Sequence, residues 1–483
     1  MSRCSGPATG WAAGDPRVTG AAPAGRRLPH ALVMMLLIIT VAVALTWIVP
    51  SGRYDRTPAG LVVPGTYRVV PKDYRAGLLP PAGPAAEHDR DRAVPASPLA
   101  VVTSIPAGMV GAASLVFMIM FIGGMFGVLQ ETGALEAGIE GLLGLTRGNL
   151  LVLVPLLMLV IAAGSTFLGL ISEYLVLIPI VVLLAERLGL DNLFATAVVT
   201  VAAKIGYMTS VTNPLALAVA QPIAGVPVFS GAGFRLVTFV LYLALGTWWV
   251  LRYVRRRSPS RPAGPPAAAR LSLRHGAILL LLLAAIGLMV YGAQALAWGN
   301  AELSAMYVFL ALAIAVLGGL DSAEAAHGFL QGMRAMVLAG LLVGLAKSVE
   351  IVLHDGQVLD SIIAFLSRAA EGRPRVVAAQ AMLGIEMVID VFIPSTSGKA
   401  AVTMPILGPI GQLAGVSGQV IVQAFIFGNG LTNAVTPTSG MLLAYLAAGK
   451  VGYGEWIRFV LPLILLLTVL SLAAIALAVV IGL

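Results

Sequence analysis

Apolar runs recur along this chain at lengths close to the ~20 residues a helix needs to cross a ~30 Å hydrocarbon layer. They lie near 31–49, 108–130, 149–163, 167–185, 194–222, 233–254, 276–298, 303–319, 333–353, 376–393, 399–413, 419–449 and 456–482. With no water in the bilayer core, backbone groups must be paired within each segment, so such runs must be helices. Composition agrees: 59% of the 483 residues are hydrophobic and only 11% charged, against about 25% charged in soluble domains. The chain therefore reads as an all-α polytopic membrane protein.

The charge pattern excludes several function classes. The net charge of +8 comes from tails and loops, which fits the positive-inside rule and not a nucleic-acid partner. A single cysteine, Cys4, excludes a disulfide framework and any cysteine-based metal site. Residues 1–28, rich in Gly, Ala, Pro and Arg, read as a disordered cytoplasmic tail. Arg26-Arg27 precedes an apolar run, but Trp47-Ile-Val-Pro-Ser51 lacks a small-x-small cleavage pattern. An uncleaved first transmembrane helix over 29–50 follows. Residues 51–98 form an extracytoplasmic loop, with Thr57-Pro-Ala-Gly60 suggesting a small hairpin. Arg252-Tyr-Val-Arg-Arg-Arg257 opens a basic cytoplasmic linker, 255–274.

An internal repeat organises the rest. Gly108-Met109 matches Gly332-Met333. Glu131-Thr-Gly-Ala-Leu135 matches His354-Asp-Gly-Gln-Val358. Gly164-Ser-Thr166 matches Pro394-Ser-Thr396, and Val211-Thr-Asn-Pro214 matches Ala434-Val-Thr-Pro437. Ala220-Gln-Pro-Ile-Ala-Gly225 matches Leu443-Ala-Tyr-Leu-Ala-Ala-Gly449. All five pairs keep their order at offsets of 223 to 230 residues. If each Ser-Thr segment tips a re-entrant hairpin, every repeat crosses three times, and an odd number makes the repeats inverted. Repeat 1 is 107–254 (hairpin tip 164–166, broken helix 194–222). Two linking helices fill 275–320. Repeat 2 is 330–483 (tip 394–398, broken helix 419–449). The total is about nine transmembrane spans plus two hairpins, with a cytoplasmic N-terminus. Two loops fit this poorly: 131–148 is acidic yet inside, and 354–375 carries three arginines outside.

The functional residues follow from the breaks. Thr209-Ser-Val-Thr-Asn-Pro214 and Asn429-Gly-Leu-Thr-Asn-Ala-Val-Thr-Pro-Thr-Ser-Gly440 pack Gly, Pro and small polar residues into apolar runs. Proline removes a donor and clashes with the preceding turn, so the helix opens and its carbonyls and N–H groups become available to ions and solutes. A proline kink patched by Ser and Thr hydroxyls is the bland alternative; two openings at repeat-equivalent places favour a binding site. Candidate solute ligands are Ser165, Thr166, Thr212, Asn213, Ser395, Thr396, Ser397, Asn433, Thr436, Thr438 and Ser439, whose hydroxyls serve equally as helix caps. The backbone at Thr212 and Asn213 is a candidate sodium site. Ionisable groups at membrane depth are costly and usually functional: Glu173, Lys204, Glu386, Asp390 and Lys399. Glu386 and Asp390 at i, i+4 repel each other, so one is protonated or a cation sits nearby. Lys399 is the obvious cation, giving an expected Asp390–Lys399 pair and a weaker proton-titrating role for Glu386. Lys347 and Glu350 at i, i+3 suit a structural ion pair as well as a site. Gly123, Gly124 and Gly127 read as helix packing.

These segments carry a resemblance. Pro64-Gly-Thr-Tyr67, Gly164-Ser-Thr-Phe167, Asn213-Pro214 with Ala220-Gln221, Ile393-Pro-Ser-Thr-Ser-Gly398 with Thr403-Met-Pro405, and Thr436-Pro-Thr-Ser-Gly440 resemble the YfcC-like branch of the C4-dicarboxylate anaerobic carrier family, within the ion transporter superfamily. The resemblance spans about 31–482. It implies a homodimeric elevator-type carrier of AbgT-like architecture for carboxylates, amino acids or related metabolites, coupled to sodium or protons, in the inner (plasma) membrane. Lys399 departs from the neutral polar residue that the resemblance implies beside the second tip. A fixed ammonium can occupy the place of a bound sodium ion, which favours proton coupling or exchange.

The leading reading is a secondary active transporter of small organic solutes. An ion or solute channel using the same broken helices is the alternative. No His-Glu-x-x-His, Gly-x-Ser-x-Gly or Gly-x4-Gly-Lys-Ser/Thr motif is present, so neither an enzyme nor direct ATP drive is expected. The only partners expected are the solute, its coupling ion and membrane lipid, with no cofactor.

Overall fold

A computed structural model describes residues 31–58, 61–78, 92–135, 137–138, 141, 149–257, 272–296 and 298–483. The tail 1–28, most of the linker 255–274, most of the acidic stretch 131–148 and the tip Ala59-Gly60 lie outside the described residues. The rest is almost entirely helical.

Helix α1 (Ala31–Ile48) leads into a small two-stranded sheet. Strand β1 (Gly52–Arg53) pairs antiparallel with β2 (Arg68–Val69), Gly52 opposite Val69. A bridge between Arg56 and Val62 and the Thr57 N–H donating to Leu61 C=O close the turn at the position the sequence suggested. Lys72 donates to the carbonyls of Thr46 and Val49, satisfying orphan acceptors at the C-terminus of α1.

Two helices, α2 (Ala100–Gly111) and α3 (Ala113–Glu131), meet at a bend at Ala112. Then comes the segment expected as the first hairpin, which consists of α4 (Leu150–Ala163), a π turn over Gly164–Leu168, a 3-10 turn over Ser172–Val176 and α5 (Leu177–Arg187). Helix α6 (Asn192–Thr209) stops at left-handed Ser210, and α7 (Pro214–Ile223) restarts with proline at its first position. Proline there is preorganised for a helix start, since its missing donor is an orphan anyway. The long α8 (Ala232–Arg257) follows, then α9 (Leu273–Ala295) and α10 (Asn300–Gly318). Helix α11 (Ser322–Asp355) opens with a capping box of Asp321 and Glu324, about three turns earlier than the apolar run suggested, because its first turns are polar.

After α12 (Leu359–Ser367), the second hairpin runs through α13 (Arg375–Phe392) and α14 (Thr396–Leu413). Helices α15 (Gly418–Asn433) and α16 (Gly440–Ala448) flank the second break, and α17 (Tyr453–Ile481) ends the chain. A long helix, a helix–turn–helix pair, an interrupted helix and a long helix thus follow one another twice.

Seven stretches among the described residues are long and apolar enough to cross a membrane: α3, α4 with its π turn, α6 through α7, α8, α10, α11 and α17. The nine crossings expected from sequence differ in three ways. Leu150–Leu168, expected as a hairpin arm, meets the criterion by itself. In α1 and α9 the stretches whose side chains are described, Leu32–Ile48 and Leu273–Met289, are apolar but shorter than the helices that contain them. The second broken segment falls into the separate helices α15 and α16.

Packing separates two helix groups. Helix α11 lies along α1, α2 and α3, and α10 lies along α3 and α9. The remaining broken and hairpin helices pack chiefly on one another, as α13 does on α15 and α4 on α6, except that α16 lies against α11. The α3–α11 crossing rests on Gly123 and Gly127 against Gly328 and Gly332. A Cβ on Gly127 would fall 1.9 Å from the Gly328 carbonyl oxygen, and one on Gly332 would fall 2.0 Å from that of Gly123. Glycine spaced by four on both helices permits this backbone contact.

Candidate functional site

The second hairpin and second break converge on Asn433. The chain turns at Ile393–Ser395 because a residue before proline is pushed out of helical geometry, and Ser395 Oγ then caps α14 by accepting from the Gly398 N–H at 3.3 Å. At the break, Ser439 caps α16 through the Leu442 N–H at 3.3 Å. Thr436 and Thr438 hydroxyls lie 2.7 Å apart, and Thr438 donates to the Val391 carbonyl at 2.8 Å. The Asn433 side chain joins these pieces. Its Nδ2 donates to Asp390 Oδ2 (3.4 Å) and the Pro394 carbonyl (3.3 Å), while its Oδ1 accepts from Lys204 Nζ (2.9 Å) and Ser439 Oγ (2.6 Å).

Behind Asn433 lies a fully buried ion cluster. Lys399 Nζ is 3.0 Å from Asp390 Oδ1 and 3.4 Å from Glu386 Oε2, with all three side chains at most 1% exposed. The ammonium also faces the Phe425 ring at 5.2 Å, a cation–π contact. The like charges that α13 places at i, i+4 are thus reconciled by a cation from α14. Asp390 uses both oxygens in hydrogen bonds; neither Glu386 oxygen has one.

A cavity of about 440 Å³ opens beside this cluster. On one side are Lys204, Tyr207, Ser395, Thr396, Asn433 and Ser439; facing them are Ser114 and the Lys347–Glu350 pair, from the α3 and α11 group. Lys347 Nζ donates to Glu350 Oε1 at 2.7 Å. Thr396 Oγ1 is hydrogen-bonded to the Tyr207 hydroxyl and accepts from Asn429 Nδ2 at 2.9 Å. Lys347, Glu350 and Ser395 also line a larger cavity of about 1010 Å³ on the side of the β1–β2 loop.

The first half is arranged differently. Ser165 donates to the Ala203 carbonyl at 2.8 Å. Thr166 bonds Thr209 Oγ1 at 3.1 Å and accepts from the Val211 N–H at 3.0 Å. Thr212 donates to the Phe167 carbonyl at 3.1 Å, and Asn213 caps α7 through the Leu215 N–H at 3.0 Å. Hairpin tip and break are therefore sewn to each other, and none of these four residues lines the cavity. Glu173 accepts from the Ile171 N–H at 2.9 Å and positions the hairpin exit, where Ile171 does line the cavity. Thr436 is buried behind Thr438, and the Ser397 side chain lies outside the described residues.

Several carbonyls at the breaks are already engaged. Arg235, 1% exposed, donates from Nε to the Val211 carbonyl at 3.2 Å and from its terminal nitrogen to that of Ser230. At the second break, Trp456 Nε1 donates to the Ala434 carbonyl at 3.0 Å, and the Tyr453 hydroxyl to that of Val435. Arg235 and Trp456 thus cap matched breaks from the starts of α8 and α17. Arg235 and Tyr207 escape a reading of the sequence, and Asn429 is legible there only as the start of the second break, not as a site residue. Arginine at the edge of an apolar run looks like a flanking charge, and Tyr207 sits on an otherwise unremarked helix face. Among the described residues, no group of His, Cys, Asp or Glu side chains could hold a metal ion.

The chain is similar to known proteins in three respects. Over 486 residues, 92% of this chain and 95% of the other, the chain is 30% identical to an Escherichia coli (strain K12) protein named "Putative basic amino acid antiporter YfcC". A Haemophilus influenzae protein is 25% identical over 478 residues, 90% and 94% of the two chains. Among solved structures, the chain is similar to the Alcanivorax borkumensis YdaH transporter (17% identity, TM-score 0.44, covering 94% of this chain and 99% of that one). It is also similar to Neisseria gonorrhoeae MtrF (18% identity, TM-score 0.40, covering 94% and 95%). The family model for the C4-dicarboxylate anaerobic carrier matches residues 28–480, and the chain belongs to that family: it is a multi-pass membrane transporter.

Proposed function

We propose that the chain is a secondary active transporter of amino acids or carboxylates that works by an elevator-type alternation. The carrying observation is the cavity of about 440 Å³. It lies between the α3 and α11 helices and a second helix group that holds a hairpin tip, a helix break and the buried Lys399–Asp390–Glu386 cluster. That placement suits a solute carried by the second group along the first. The matched order of elements supports inverted repeats over 107–254 and 330–483. The basic Arg252–Arg257 stretch supports a cytoplasmic N-terminus in the inner membrane. The homodimer rests on family likeness.

Solute class follows from the charges that line the cavity. Among the described residues, Lys347 is paired with Glu350 Oε1, whereas Lys204 has the Asn433 amide oxygen as its one hydrogen-bond partner. Lys204 therefore offers its charge to a carboxylate, and Glu350, whose Oε2 is not used by Lys347, can accept from an ammonium group beside that pair. An α-amino acid satisfies both, in keeping with the name of the Escherichia coli relative; a dicarboxylate satisfies the first. Lys399 already neutralises Asp390, and Arg235 already holds the Val211 carbonyl at the Thr212–Asn213 break. Both favour exchange or proton coupling over sodium.

Purified protein in liposomes, loaded with unlabelled solute, should take up labelled amino acids or dicarboxylates saturably and independently of sodium. Lys204→Met should raise the half-saturating concentration most for solutes that bear carboxylates. Sodium-dependent uptake would overturn the role given to Lys399. Non-saturable flux of simple ions would replace the carrier with a channel.

A further inference from the structure

A separate pocket of about 560 Å³, sharing no residue with the solute cavity, lies between the end of α8 and the start of α17. Three arginines enter it, Arg252 and Arg256 from α8 and Arg458 from α17, beside Trp249, Tyr253 and Phe459. Arg252 and Arg256, at i, i+4, share one face of α8, near a helix C-terminus that favours cations. The Arg252 guanidinium also lies 5.2 Å over the Trp248 ring. None of the three arginines forms an ion pair among the described residues. Among the described residues, Glu455 is the one carboxylate lining the pocket. Nearby Asp191 is occupied, accepting from the Tyr253 hydroxyl at 2.6 Å and capping α6 through the Phe194 N–H. The pocket therefore carries a positive excess.

Its depth is also defined. Ala232–Arg256 is an apolar crossing, and the arginines stand at its end, where hydrocarbon gives way to head groups. Trp248, Trp249 and Tyr253 are the residue types that gather at that level. Below them, Leu241 on α8 and Leu465 on α17 are exposed and give acyl chains a surface. Guanidinium groups pair with phosphate in a bidentate, directional manner, and basic pockets between transmembrane helices suit anionic head groups.

We propose that this pocket binds the phosphate head group of an anionic phospholipid. The site is independent of the transport reading. The test is native mass spectrometry of the full chain in neutral detergent, titrated with phosphatidylglycerol or phosphatidylcholine. Wild type should retain phosphatidylglycerol in preference to phosphatidylcholine. Arg252→Gln, Arg256→Gln and Arg458→Gln should each weaken retention roughly fivefold, with circular dichroism confirming the fold. Should the triple glutamine variant misfold, the single Arg458→Gln and a triple lysine variant decide the matter: the first must bind more weakly and the second must keep its preference for the anionic lipid. Equal retention by wild type and the glutamine variants overturns the proposal. So does displacement of the lipid by millimolar inorganic phosphate, which would assign the pocket to a soluble anion.

Discussion

Lys399 is the residue on which most rests. Removing one partner of a buried ion pair strands the other in low dielectric, at a cost of about 3–5 kcal/mol. Lys399→Ala leaves two buried carboxylates and should lower the thermal unfolding midpoint in detergent by several degrees as well as abolish exchange. Glu386→Gln is gentler, because it replaces a carboxylate whose oxygens have no hydrogen bond with a group of the same shape. That variant should stay folded and transport with a flatter dependence on pH; an unchanged pH profile would remove Glu386 from any proton pathway. Arg235 makes a different point. It bonds backbone carbonyls at the first break, and hydrogen bonds to charged groups contribute about 1.5–3 kcal/mol. Arg235→Gln should therefore destabilise the protein without shifting solute preference, which competition among unlabelled solutes would reveal.

Among the elements, the α3–α11 crossing is the least tolerant. Gly127 and Gly332 face backbone, not side chain, across the contact, so added bulk cannot be absorbed by a rotamer change. Overpacking of a tight contact costs about 1–3 kcal/mol, and Gly127→Leu should reach or exceed that range. The measurement is the fraction of folded protein that survives graded heating in detergent. Gly276→Leu, in α9, is the control, since a Cβ there meets nothing within 4 Å, and it should behave like wild type. The hairpins differ in kind. The second is two regular helices joined by a short turn, with its tip in the cavity. The first unwinds through π and 3-10 turns and is fastened to its own break.

Over the whole molecule, the loop after α1 is docked onto the distant α12. Arg56 donates to Asp360 Oδ1 at 3.0 Å, the Tyr54 N–H to Asp360 Oδ2 at 3.0 Å, Tyr67 to Ser361 Oγ at 2.9 Å and Ser51 to the Gly356 carbonyl at 2.7 Å. This loop roofs the larger cavity. Asp360→Ala should expose it, seen as faster protease cleavage within 51–98, and Arg56→Ala should add little to that variant. Burial, and then the Asp360 carboxylate, push the Tyr54 phenol up to about 12. The neutral phenol thus belongs to the docked state. Docking is intact below pH ~10, where a free tyrosine ionises, and weakens as pH rises toward 12. Cleavage rates across that window check the sign.

Much of the architecture was legible in the linear sequence because lipid imposes strict local rules. Apolar length specifies helices, and proline with glycine marks where they must open. The i, i+4 repulsion of Glu386 and Asp390 called for a protonated carboxyl or a nearby cation, and Lys399 stands beside both as that cation. The glycines at 123 and 127 read as packing, and the α3–α11 contact shows why. Tertiary structure alone decided which hydroxyls face the cavity. Ser165, Thr166, Thr212 and Asn213 belong to the same residue types as Ser395, Thr396, Asn433 and Ser439, yet the first set spends its hydrogen bonds on its own hairpin and break. Likewise, Arg235 could be known as a cap, and Lys204 as a partner of Asn433, only once segments distant in the chain were packed together. A polar side chain caps or binds according to which acceptor lies within about 3 Å, and that distance is set by packing between helices, which no local pattern encodes.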